Sequence, residues 1–186
     1  MLQNKAREIF HSDTGIFAGM HACISRRCIG SALVLCYSAI DHLSWLNLPP
    51  GRVEVGPQDF IKFADKYVIP DSSVDCTGID LYGARCGLLH TYTPESGLTM
   101  RGKATPIGYS WGTEPAIPRQ QLQQAGAKWV MVHVETLCQA VERGALKFWS
   151  NVEGDTQKLS VVNQRAQKLL RHLVVVAETP NDLPSP

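Results

Sequence analysis

Arg85 and His90 stand five residues apart in Arg85-Cys86-Gly87-Leu88-Leu89-His90-Thr91-Tyr92, an otherwise largely apolar run. A guanidinium keeps its charge at any cellular pH, whereas an imidazole exchanges a proton near neutrality. One group can therefore stabilise an anion while the other moves a proton. That division of labour suits the cleavage of a phosphodiester. Two further side chains bear on it: Tyr92, two residues past the histidine, and Asp41, a carboxylate on an apolar stretch that is costly to bury without a partner. Arg85 or His90 is the natural partner for Asp41. The alternative is an exposed Asp41, between Ile40 and His42, with no special role.

Each of these residues also has a plainer reading. Arg85 can cap a helix or pair with a carboxylate, His90 can be a satisfied core imidazole, and Tyr92 can simply pack its ring at a helix end and hydrogen-bond its hydroxyl. Cys86 and His90, four apart, share a helical face and can reach a metal, with Cys76 as a third ligand. No compact pair spacing accompanies them, so no metal is assigned. Gly83, Gly87 and Gly97 form no phosphate-cradling signature between a strand and a helix, so no nucleotide cofactor is expected.

The pair must be carried by a helix. Spacing predicts one from about Thr77 to Thr91, with Ile79, Leu81, Tyr82, Leu88 and Leu89 for packing and Pro94 closing it. On an ideal helix five residues rotate by about 140°, so Arg85 and His90 do not share a stripe and make a poor cleft in one subunit. Upstream, Ile29, Ala32, Leu33, Cys36, Ile40 and Leu43 recur at helical spacing behind Ser25 as N-cap, and Asn47 to Gly51 stops that helix. The apolar surface is wide enough to place it centrally. A leader helix over residues 2–21 is interrupted at Asp13-Thr14-Gly15, and a third helix runs from Gly56-Pro57 through Val68.

Downstream the pattern changes. Leu98 to Arg101 and Ala104 to Trp111 read as two short strands about Gly102-Lys103, and 128–132 offers a third, after a short polar helix Arg119 to Gln124. Helical spacing returns over 134–149 and 156–173, joined at Asn151 to Asp155 as an antiparallel hairpin. The predicted architecture is one domain over residues 1–177, mainly α, a helical bundle with a small inserted β-hairpin or three-stranded β-element at about 97–132. The Pro-rich 178–186 reads as a disordered tail.

A chain of 186 residues with 44% hydrophobic and 19% charged residues is long and apolar enough to bury a proper core. Its net charge of +1 supplies no whole-molecule attraction for a polyanion, so any RNA contact must be local. Arg26-Arg27, Arg101 with Lys103, and Lys158, Arg165, Lys168 and Arg171 are the basic clusters, each of which also reads as an ordinary solvated face. Six scattered cysteines without a Cys-x-x-Cys pair, behind a polar N-terminus, are most simply reduced and packed, which points to the cytoplasm. The longest apolar run, Ile29 to Ile40, falls short of a membrane span.

The spacing Arg85, four residues, His90, one residue, Tyr92, with Asp41 on an earlier apolar helix, resembles the HEPN superfamily of all-helical domains. The similarity covers roughly Ser25 to Ser96 and extends to the helices of about 134–173. It implies a metal-independent endoribonuclease of a defence or toxin–antitoxin kind, acting as a homodimer whose two motif helices bring both Arg85 and both His90 to one groove. In that groove His90 serves as acid or base, Arg85 stabilises the phosphorane, Asp41 orients the arginine, and RNA is cut through its own 2′-hydroxyl. Tyr92 stands where one toxin group of the family carries a tyrosine modified by a nucleotidyltransferase antitoxin, which implies RNA contact or modification there and an antitoxin as partner. Catalytic members commonly carry a polar residue after the arginine, and here it is Cys86. The second reading is a non-catalytic module of the same fold that binds a protein, a nucleotide or RNA.

Overall fold

The computed structural model describes residues 5–70 and 72–169. They form helices α1 (Lys5–His11), α2 (Ile16–Ser25), α3 (Ile29–Leu46), α4 (Pro57–Phe63), α5 (Gly78–Thr91), α6 (Gly97–Met100), α7 (Arg119–Gln124), α8 (Val134–Glu153) and α9 (Thr156–Ala166), and strands β1 (Ile107–Ser110) and β2 (Val130–His133). The protein is therefore a helical bundle with a small β-element. The last helix ends at Ala166, with Gln167 as its C-cap, short of the expected 173; residues 170–173, Arg171 of the last basic cluster among them, and the tail from 178 lie outside the described residues.

α3 is the central post, packed against α2, α4, α5, α8 and α9. Among the described residues it is the one helix long and apolar enough, by length and composition, to cross a membrane. Its own packing accounts for that character: Leu33, Cys36, Tyr37, Ile40 and Leu43 are buried in the core shared with Phe63, Leu81, Val141 and Phe148. The helix runs beyond the apolar stretch read from sequence, continuing past Asp41 to Leu46.

Ser25 does not cap this helix. It is the last residue of α2, where its hydroxyl donates to the carbonyl of Ala22 (3.0 Å), and a turn with Arg27 at φ 60° intervenes before α3 begins behind Cys28. α4 starts at Pro57, with the Gly56 N–H donating to Asp59 Oδ2 (2.8 Å), and continues as a π-helical segment over Ala64–Val68. α8 approaches that segment closely enough that a Cβ on Gly144 would stand 2.6 Å from the Tyr67 carbonyl oxygen. Only a glycine allows the contact.

The inserted region departs from the hairpin expectation. Leu98 to Arg101 is not a strand: Ser96 caps the single turn α6. β1 and β2 pair in parallel, Ile107 with Val130 through Ser110 with His133, and the chain crosses between them through α7. A parallel pair needs a crossover connection, and residues 111–129 supply it. Asp80, at the start of α5, ties this region down: it accepts from Thr105 N–H (2.6 Å) and from Arg119 Nη2 (3.3 Å). Tyr37 and Tyr109 hydroxyls, 2.5 Å apart, join β1 to α3.

Candidate active site

α5 is defined at both ends by local chemistry. Thr77 Oγ1 accepts from the Asp80 N–H (3.4 Å) while Asp80 Oδ2 accepts from Thr77 N–H (3.1 Å), a reciprocal cap at the N-terminus. At the C-terminus Tyr92 adopts the left-handed conformation (φ 55°), and its N–H and that of Thr93 return to the carbonyls of Leu88 and Gly87. Gly87 makes this closure possible: a Cβ there would lie 2.5 Å from Thr93 O and 2.7 Å from Glu95 O. The glycine inside the Arg-to-His spacing thus lets the chain fold back under the last turn that carries His90.

Arg85 and His90 meet within one subunit. Arg85 Nη1 is 3.2 Å from His90 Nε2, so the rotation between them, which predicts a poor cleft in a single chain, is bridged by the length of the arginine. A guanidinium has no acceptor, so Arg85 donates and the His90 Nε2 lone pair accepts. On its other edge Arg85 Nε donates to Asp41 Oδ2 at 2.8 Å. Burial disfavours the Arg85 charge, but the hydrogen bond and charge of Asp41 outweigh it and raise the proton affinity of the guanidinium. The Asp41 and Arg85 side chains are each about one-fifth exposed, at 20% and 21%, and His90 is exposed. The three form a chain, carboxylate to guanidinium to imidazole, that opens to solvent.

Cys86 is half-buried, with its thiol in hydrogen-bonding reach of the Arg85 guanidinium. Its thiol also meets the hydroxyl of Tyr82, whose proton affinity rises first through burial and then through that hydrogen bond, and the Tyr82 ring packs at a tilt against Phe60, with centroids 5.4 Å apart. Cys86 therefore touches both Tyr82 and Arg85. Tyr92 is 67% exposed, and its hydroxyl end lies against Gly30 at the start of α3, where an added Cβ would be 1.8 Å from the oxygen. It closes the C-terminus of α5 against the start of α3.

The sequence reading missed the other wall. An open pocket of about 370 Å³ beside Arg85 is bounded by Ser38, Asp41, His42 and Trp45 of α3, with Val55 and Leu89 completing it. The signal was present: 38, 41, 42 and 45 fall at i, i+3, i+4 and i+7, one face of a helix. His42 is exposed, and its Nδ1 lies 2.6 Å from the Ser38 carbonyl oxygen. Trp45 Nε1 donates to Val53 O (3.0 Å) and folds the loop after α3 over this end.

Arg165, read as part of a basic helix face, is buried instead. Its guanidinium donates to the carbonyls of Leu46, Leu48, Pro49 (2.8 Å) and Arg52 (3.1 Å), pinning the same loop from α9. It offers nothing to a polyanion. Among the described residues no group of three His, Cys, Asp or Glu side chains is arranged to hold a metal ion, and Cys76, the third ligand considered above, is buried.

Comparison with protein-family models, with curated proteins and with solved structures finds no match to this chain.

Proposed function

We propose that this protein is an endoribonuclease of HEPN type, which cleaves single-stranded RNA without a metal ion at a composite site between two subunits. The observation that carries the reading is the continuous contact from Asp41 Oδ2 through Arg85 to His90 Nε2 at an open surface. A structural salt bridge alone needs no imidazole on its far edge and no opening to solvent. Phosphodiester chemistry uses both. In this reading a scissile phosphate replaces His90 as the acceptor of Arg85 Nη1, which releases Nε2 for proton transfer while Asp41 keeps the guanidinium aimed. Attack by the 2′-hydroxyl confines the reaction to RNA and yields a 2′,3′-cyclic phosphate. A cytoplasmic toxin–antitoxin or defence setting, with an antitoxin as partner, accompanies the family resemblance.

The second reading, a non-catalytic module that binds a protein, a nucleotide or RNA in the same groove, is favoured by Cys86 at a commonly polar position and by the net charge of +1. One experiment separates the two. Purified protein is incubated with single-stranded RNA in excess chelator beside Arg85→Ala and His90→Ala variants. Cleavage by the unaltered protein alone supports the ribonuclease. Cleavage by all three marks a contaminant, and cleavage by none leaves the binding module. Sedimentation at about twice the monomer mass supports the shared groove, and a clean monomer removes it.

A further inference from the structure

We infer that His42 is a second proton-transfer residue of the same site, the general base that takes the proton from the attacking hydroxyl; this rests on the ribonuclease reading. Transesterification of RNA needs a proton removed at the 2′-oxygen and another supplied at the 5′-oxygen, on opposite sides of the phosphorus. Both copies of His90 in a shared groove start with Nε2 engaged by Arg85, whereas His42 is engaged through Nδ1. Arg85 is the group that holds the phosphate; His90 is in direct contact with it at 3.2 Å, and His42 lines the pocket whose wall Arg85 and Asp41 share.

The tautomer of His42 is set by its partner. A carbonyl oxygen can only accept, so at 2.6 Å from Ser38 O the Nδ1 of His42 must carry the hydrogen. In the neutral ring Nε2 then holds the lone pair. It is the outer nitrogen of an exposed side chain in the pocket, and the Ser38 carbonyl fixes the ring as a second group commonly orients a catalytic histidine. Asp41 and Arg85 are the charged side chains sharing this wall, and Ser38, Trp45, Val55 and Leu89 are neutral. His90 starts from the complementary arrangement, with Nε2 engaged by Arg85 until the phosphate takes its place.

The step balances. The 2′-hydroxyl gives its proton to His42 Nε2 as the 2′-oxygen bonds phosphorus, and the bond from phosphorus to the 5′-oxygen breaks as protonated His90 donates to that oxygen. The products are a 2′,3′-cyclic phosphate and a 5′-hydroxyl, with His42 protonated and His90 neutral. Exchange with water restores both.

The test uses the full chain, with His42→Ala, His42→Gln and His90→Ala, on ordinary RNA and on RNA carrying sulfur in place of the bridging 5′-oxygen at one phosphate. Thiolate leaves without a proton, so loss of the acid is repaired by sulfur and loss of the base is not. Glutamine retains a donor toward Ser38 O but has no titratable nitrogen, so it separates chemistry from ring placement. Both His42 variants are expected to lose about 10²-fold or more in cleavage rate, to gain nothing from sulfur, and to lose the ascending limb of the pH–rate profile at unchanged melting temperature. His90→Ala is expected to recover on the sulfur substrate. Full cleavage by the His42 variants, or their rescue by sulfur, overturns the assignment while leaving the ribonuclease reading intact. An unaltered protein that cleaves neither substrate overturns the ribonuclease reading, and His42 as base falls with it.

Discussion

Asp41 Oδ2 accepts from Arg85 Nε at 2.8 Å across the α3–α5 contact, leaving the Nη1 edge of the guanidinium for His90. A carboxylate on the Nε edge fixes the plane of the fork without occupying the group that faces solvent, which is how a positioning residue should act. Asp41→Asn keeps the shape and removes the charge. Cleavage is expected to fall about tenfold, with stability lowered by about 1 kcal/mol because the pair is partly solvated. Single-turnover rates beside a melting curve check it.

Gly87 is expected to tolerate no side chain. The obstacles to a Cβ are the backbone oxygens of Thr93 and Glu95, at 2.5 and 2.7 Å, and backbone cannot swing aside as a side-chain end can. Gly87→Ala should cost about 1–3 kcal/mol despite the better helix propensity of alanine. For a chain of this size that is a fall of roughly 2–4 °C per kcal/mol in melting temperature.

Asp80 should make the protein acid-labile. Burial raises its pKa, but the hydrogen bonds from Thr105 N–H and from Thr77 outweigh that and hold it below the ordinary carboxylate value. A depressed folded-state pKa means stability that is fully present above the unfolded value, about 3.9, and is lost as pH falls through the folded one. Unfolding free energy should therefore drop on acidification below about pH 4. Asp80→Asn should be about 2 kcal/mol less stable at neutral pH and show a flatter acid limb in urea titrations.

Arg165 is expected to hold the loop that closes the His42 side of the site. Arg165→Met leaves the carbonyls of Leu46, Leu48, Pro49 and Arg52 without their donor, at a cost of about 2–3 kcal/mol. Faster proteolytic cutting within residues 47–55 should accompany it. Arg165→Lys should rescue little, because one ammonium cannot span four carbonyls.

Much of the frame was legible in order along the chain. Thr77 marks the start of α5 in the sequence, Pro57 the start of α4, and Asn47 to Gly51 the end of α3, because caps and breakers act within a turn of themselves. The apolar spacing of α3 and α8 likewise announces buried faces, since each repeats with the helix. Local signals failed where one turn had two local solutions: Ser96 capped a helical turn at Gly97–Met100 where alternation suggested a strand, and Ser25 closed a helix it was expected to open.

What the linear chain determined by itself is therefore the bodies of the main helices, α3, α5 and α8 among them, and that Arg85, His90 and Asp41 have chemistry worth bringing together. Tertiary structure alone decided that they touch, that His42 shares the pocket wall, that Arg165 is buried, and that β1 and β2 run parallel across the 111–129 crossover. Helix spacing gives angles about one axis and carries no information about the distance between two. The reach of an arginine, the side a neighbouring helix presents, and the carbonyls left over at a loop are set only when α3, α5 and α9 pack against one another.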